Sequence, residues 1–97
     1  MESLEQLNRL ISERLNGDRG RIAELFQDEA VFVQMRDLAR ESDWVHFSPK
    51  TYDGYYLVNE CSGYLVYFQE RGSKSGFRVF NSLAEAATYF FNGLNNL

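Results

Sequence analysis

Cysteine, histidine, tryptophan and proline each occur once in this 97-residue sequence. A lone cysteine rules out an intramolecular disulfide and fits a cytoplasmic location. One cysteine and one histidine, Cys61 and His46, cannot furnish the three or four ligands of a typical zinc site. No calcium-loop spacing is present. The glycines and lysine of GSKSG (72–76) lack both the P-loop spacing and the helix that must follow it, so no phosphate cradle is predicted. No apolar run approaches the roughly 20 residues of a membrane span. The acidic start MESLEQLNRL has neither the basic beginning nor the long apolar stretch of a signal peptide. With one proline and seven glycines there is no long linker. The length fits one domain, residues 1–97, with no internal repeat.

Apolar residues are plentiful at 44%, with 15% aromatics, as in a chain that folds around a core. The net charge of −4 is carried unevenly, with ten acids against six bases in residues 1–43 and four against four in residues 44–97. An acidic chain is unsuited to direct nucleic-acid binding, which depends on phosphate neutralisation by lysine and arginine, and suits a basic protein partner.

Along the chain, SLEQLNRLISERLNG reads as an amphipathic helix. Ser3 and Gln6 have capping-box spacing, Leu4, Leu7, Leu10, Ile11 and Leu15 form one stripe, and Asn16-Gly17 stops it. A second helical region covers about Arg19 to Arg40. Its stripes, Ile22, Leu25 and Phe26 and then Val33, Met35, Leu38 and Ala39, are out of phase. Asp28 can cap a fresh helix, so the region is either one helix or two with a break near residues 27–29; the run AVFVQM also has strand-like residues. Trp44 to Phe47 form a short extended segment limited by Pro49, an edge strand or the way into a sheet.

The runs GYYLVNE and GYLVYFQE then make a hairpin. A three-residue turn, Cys61-Ser62-Gly63, is preferred to a two-residue loop, which would mix polar with apolar on both faces; it pairs Glu60 with Tyr64, Val58 with Val66 and Tyr56 with Phe68, and sets Asp53 opposite Arg71. That register gives a core face of Tyr56, Val58, Val66 and Phe68. Its other face, Tyr55, Leu57, Asn59, Leu65, Tyr67 and Gln69, mixes tyrosine with amides and suits a half-wet surface. RGSKSG reads as a flexible basic turn and GFRVFN as the next strand. SLAEAATYFFNGLNNL closes the chain as a helix capped by Ser82, with Leu83, Ala86, Ala87, Phe90 and Leu94 on its buried side. The expected fold is α+β: N-terminal helices, a three- to four-stranded antiparallel β-meander, and a C-terminal helix packed on the sheet.

For chemistry, a Cys61–His46 nucleophile pair is weighed against a cysteine packed in a turn and a histidine on a strand, and the latter reading is preferred. Asp28 and Glu29, and Asp37, Glu41 and Asp43, are the carboxylate groupings, but Arg36 and Arg40 alternate with the second as on a solvated helix. No enzyme, catalytic residue, metal or cofactor is therefore expected. The candidate partner-binding residues are Asp37, Glu41, Asp43, Asp53, Tyr55, Leu57, Glu60 and Tyr67: a tyrosine-bearing sheet face with an acidic rim.

Trp44, YDGYYLV (52–58), GYLVYFQERG (63–72), FRVF (77–80) and SLAEAATYFF (82–91) resemble the small cytosolic immunity proteins of bacterial polymorphic toxin systems, including contact-dependent growth inhibition. The resemblance covers residues 44–91. It implies a small acidic protein that binds a cognate toxin domain, often a nuclease, and blocks it without chemistry of its own. Contact residues do not carry over, because such surfaces vary with the toxin. The alternative is a self-associating structural or regulatory module whose tyrosine face pairs with itself in a two-fold dimer.

Overall fold

A computed structural model describes residues 2–39, 44–60 and 63–95. Helix α1 (Glu2–Arg14) begins one residue before the expected cap Ser3; the side chains of Ser3, Leu4 and Leu94 lie outside those described. Leu7, Ile11 and Leu15 are buried at four-residue spacing, as the stripe predicts. Asn16 and Gly17 both take positive φ, 53° and 82°, and end the helix as expected. Asp18 then caps a 3-10 turn, Arg19–Arg21, by accepting the Gly20 N–H at 3.0 Å.

The second helical region is broken. Helix α2 (Ile22–Leu25) is a single turn, and α3 (Glu29–Leu38) restarts at Asp28, whose carboxylate accepts the Ala30 N–H at 3.0 Å. The phase slip in the sequence has a physical cause. Ile22 and Val31 are nine residues apart, as are Phe26 and Met35, which would set each pair on opposite sides of a continuous helix, about 180° apart. All four are buried, so the axis must turn between them. The strand-like AVFVQM stays helical because Val31, Phe32 and Met35 reach the core from one side, and packing outweighs the β preference of valine. Val33, expected in the stripe, is exposed.

The sheet runs in the order β1 (Val45–His46), β2 (Gly54–Glu60), β3 (Gly63–Glu70), β4 (Ser73–Phe80). It is mixed. Strand β1 pairs parallel to β2, Val45 with Tyr55 and His46 with Tyr56, so the expected all-antiparallel meander is corrected at its first strand. A parallel neighbour ordinarily needs a long crossover. Here β1 is two residues long, and residues 47–53 suffice to return the chain. The buried Gln69 amide ties that loop down by donating to the carbonyls of Lys50 and Tyr52, both at 3.0 Å, and the Tyr56 hydroxyl donates to Tyr52 O at 2.6 Å.

The β2–β3 register is one residue away from the expected one. Glu60 pairs with Gly63, Leu57 with Val66, Tyr56 with Tyr67 and Tyr55 with Phe68, across a two-residue loop whose residues, Cys61 and Ser62, lie outside those described. A one-residue slip re-sorts every side chain between the faces. One face carries Tyr55, Leu57, Tyr64, Val66 and Phe68, and it meets α4. The other carries Tyr56, Val58, Leu65, Tyr67 and Gln69. The second hairpin turns on Arg71 and Gly72, both with positive φ, 52° and 79°, so most of the expected flexible segment RGSKSG is strand. A bulge sets Gly76 and Phe77 opposite Tyr67, with Gly76 at φ +67°.

Helix α4 (Leu83–Asn95) is capped by Ser82, whose hydroxyl accepts the Glu85 N–H at 3.2 Å. It lies on β2, β3 and β4 and against α2, with Ala86 and Ala87 fully buried. Phe26 and Phe91 stack at 5.5 Å, and Phe47 meets Phe90 at 5.9 Å.

Gly54 marks where β2 approaches β1. Its φ is +141°, and a Cβ there would lie 2.7 Å from the Trp44 carbonyl oxygen, whereas nothing lies within 4 Å of one at Gly72. Gly54→Ala is expected to lose about 2–4 kcal/mol in urea denaturation, and Gly72→Ala about 1 kcal/mol, from its positive φ alone. Equal losses would contradict the close approach.

Candidate binding surface at the edge of the sheet

The expected partner-binding residues do not form one patch. Leu57 is fully buried on the α4 face, and Tyr55 is half-buried on the same side, 4.8 Å from Phe68. Tyr67 is buried on the opposite face, stacked on Tyr56 at 4.9 Å with the rings 5° apart. The half-wet tyrosine face is thus divided between two buried layers, which corrects the expectation that it is kept open. The cause is the register: the slip moved Tyr67 away from Tyr55 and Leu57.

The acids are equally dispersed. Asp37 is exposed on α3, its carboxylate 3.6 Å from Arg36. Asp53 accepts the Arg71 backbone N–H at 2.8 Å, so it holds the β3–β4 turn instead of pairing with the guanidinium as expected. Glu60 is exposed at the far end of β2, some 20 Å from Asp53 at the rise of an extended strand. Glu41 and Asp43 lie outside the described residues.

The largest exposed apolar side chains of the sheet are on β4, and the sequence reading did not single them out. Phe77 is 52% exposed and Val79 62%. Their alternation on β4, with Val79 paired to Leu65, puts both on the face away from α4, and the Phe77 ring lies 5.5 Å from Tyr67. Every residue from Ser73 to Val79 is exposed, and no described strand pairs with the outer edge of β4. Two cations stand on this strand against aromatic rings, Lys74 5.1 Å over Tyr67 and Arg78 5.8 Å over Tyr89. The available sequence signal was charge: from Arg71 to Ala84 there are three bases and no acid, in a chain of net −4.

On the α4 side, a cleft of about 530 Å³ opens between helix and sheet, walled by Tyr55, Val66, Phe68, Tyr89 and Phe90. No carboxylate, imidazole, ammonium or guanidinium lines it. His46 is fully buried, 4.9 Å from the Tyr56 ring, and Cys61, weighed with it as a nucleophile pair, lies outside the described residues. Among the described residues no three histidine, cysteine or acidic side chains gather to hold a metal ion, and no helix is long and apolar enough to cross a membrane. The chain matches no known protein family, no curated protein and no solved structure.

Burial moves two phenols. Tyr56 ionises above the usual tyrosine range, chiefly because its charged form would be desolvated and secondarily because of Tyr67. Tyr67 is raised by burial first and by the Glu60 carboxylate second. Above pH of about 10 the unfolded chain gives up these protons while the folded chain keeps them. The unfolded state then binds fewer protons, so stability falls as pH rises from that point through the raised values. An absorbance titration at 295 nm is expected to show a late step that diminishes in both Tyr56→Phe and Tyr67→Phe. A titration unchanged by either substitution would contradict the burial of these hydroxyls.

Proposed function

We propose that this chain is a binding protein without chemistry of its own, an immunity protein that blocks a cognate toxin domain by occupying it. The observation that carries the proposal is the pair Phe77 and Val79, more than half exposed on a strand whose outer edge pairs with no described strand, with Phe77 backed by the buried Tyr67. An exposed aromatic backed by a buried ring, as Phe77 is, is a residue type enriched at protein interfaces. The resemblance of residues 44–91 to toxin-system immunity proteins supplies the class of partner, and the net charge supplies its sign. Outside residues 71–84 the chain carries fourteen acids against seven bases, a field that draws in a basic domain such as a nuclease.

A second reading, self-association, is favoured by the same unpaired edge. Its seam would be β4 and not the tyrosine face, because Leu57 and Tyr67 are already buried within the chain.

The test is co-expression of the tagged chain with the product of its neighbouring gene, scored for toxicity and for its suppression. The expected outcome is a one-to-one complex and restored growth. Phe77→Ser with Val79→Ser is expected to weaken the complex at least about tenfold. Asp37→Lys with Glu60→Lys is expected to slow association at low salt and much less at high salt. A chain that elutes alone as a dimer by light scattering and leaves the toxicity intact overturns the inhibitor reading in favour of self-association.

A further inference from the structure

We infer that the outer edge of β4 receives an extended, carboxylate-bearing segment of a partner protein, which adds to the sheet as a fifth strand. This rests on reading the chain as a binding protein, and not on the partner being a toxin. Among the described residues, strand β4 spans eight residues and is paired on one side only, through β3. Its other row of backbone groups is a template for a further strand, and the exposure of Ser73 to Val79 leaves that row reachable.

Charge selects the occupant. The β3–β4 turn and strand hold Arg71, Lys74 and Arg78, and none of the three forms an ion pair with a described residue. Lys74 and Arg78 are held over the rings of Tyr67 and Tyr89, one on each face of the strand, so their heads are positioned without being neutralised. An added strand presents side chains alternately to the two faces, and acids on each face meet one cation each. Phe77 and Val79 offer apolar cross-strand partners on the face that carries Lys74.

The free edge would admit a second copy of this chain, but its charge disfavours one. Two β4 strands side by side would gather four cations along one seam, with no acid in the strand to offset them.

The probe is a synthetic ten-residue peptide of alternating threonine and valine carrying two glutamates, with blocked ends. Controls are the same peptide with lysines in place of the glutamates, and polyglutamate as an anion with no strand preference. Amide hydrogen exchange of the full chain is followed residue by residue by NMR. At millimolar glutamate peptide, every second amide within Ser73–Phe80 is expected to exchange at least about tenfold more slowly, with no such change from the lysine peptide. In Lys74→Glu with Arg78→Glu the preference is expected to reverse. Should that variant fail to fold, Lys74→Gln, which removes the charge over Tyr67 and keeps a polar side chain at this exposed position, is expected to weaken the glutamate peptide several-fold.

Four results would overturn the inference: no alternating protection with the glutamate peptide; equal protection by both peptides; shifts with polyglutamate that match the peptide's; or the same protection arising from dimerisation of the chain alone. The toxin assay separates the two proposals. A charge-reversed variant that still restores growth, together with absent peptide pairing, removes the edge inference and leaves the inhibitor reading standing. Peptide pairing without any toxin neutralised does the opposite.

Discussion

Burial of both faces of the β2–β3 pair is the constraint on which the rest of the structure depends. One face closes against α4 through Leu57 and Val66. The other closes through Tyr56, Val58 and Tyr67, under a loop that Gln69 and Tyr56 bind by its carbonyls. With no face left over, the chain cannot place an open tyrosine surface in the middle of its sheet. The parallel β1, the tied-down connection of residues 47–53 and the close approach of Gly54 to Trp44 all belong to that second closure. The raised phenols of Tyr56 and Tyr67 are its electrostatic signature, since both hydroxyls sit where a phenolate would be poorly solvated.

A sheet buried through its centre can meet other molecules at its edges and ends. At one edge β1 is only two residues long. At the other, β4 is eight residues long, exposed, basic, and carries Phe77 and Val79. The chain's acids are distributed elsewhere, among them Asp37 on α3 and Asp53 and Glu60 at the two ends of β2. Under the proposed reading, attraction at a distance and contact at close range fall to different parts of the surface. Long-range steering depends on the summed field, which is negative. Contact depends on local chemistry, which at β4 is apolar and positive. These two demands do not conflict, because steering acts over a Debye length and a contact acts over a few ångströms.

Much of this was legible in the residues. The α1 stripe, the stop at Asn16-Gly17, the Asp28 restart, the strand content of residues 54–80 and the Ser82 cap each follow from a local pattern. Such patterns were enough for the α+β class and for placing the C-terminal helix. The candidate surface was legible in much smaller part. Tyr55, Leu57 and Tyr67 were grouped by a register in which two-residue and three-residue loops compete, and nothing local to the hairpin decides between them when both faces of each strand are apolar. Phe77 and Val79 were visible as strand residues, but their exposure was not, because it depends on β4 being the last strand of the sheet.

By itself, then, the sequence determined where helices begin and end, which segments extend, and the overall sign of the charge. These are set by spacing, caps and composition within a few residues of each other. Only the tertiary structure decided the pairing partner of each strand, the parallel direction of β1, and which aromatics are covered. Those depend on contacts between residues far apart in the chain. A one-residue shift there exchanges one face of a strand for the other while leaving every local preference satisfied.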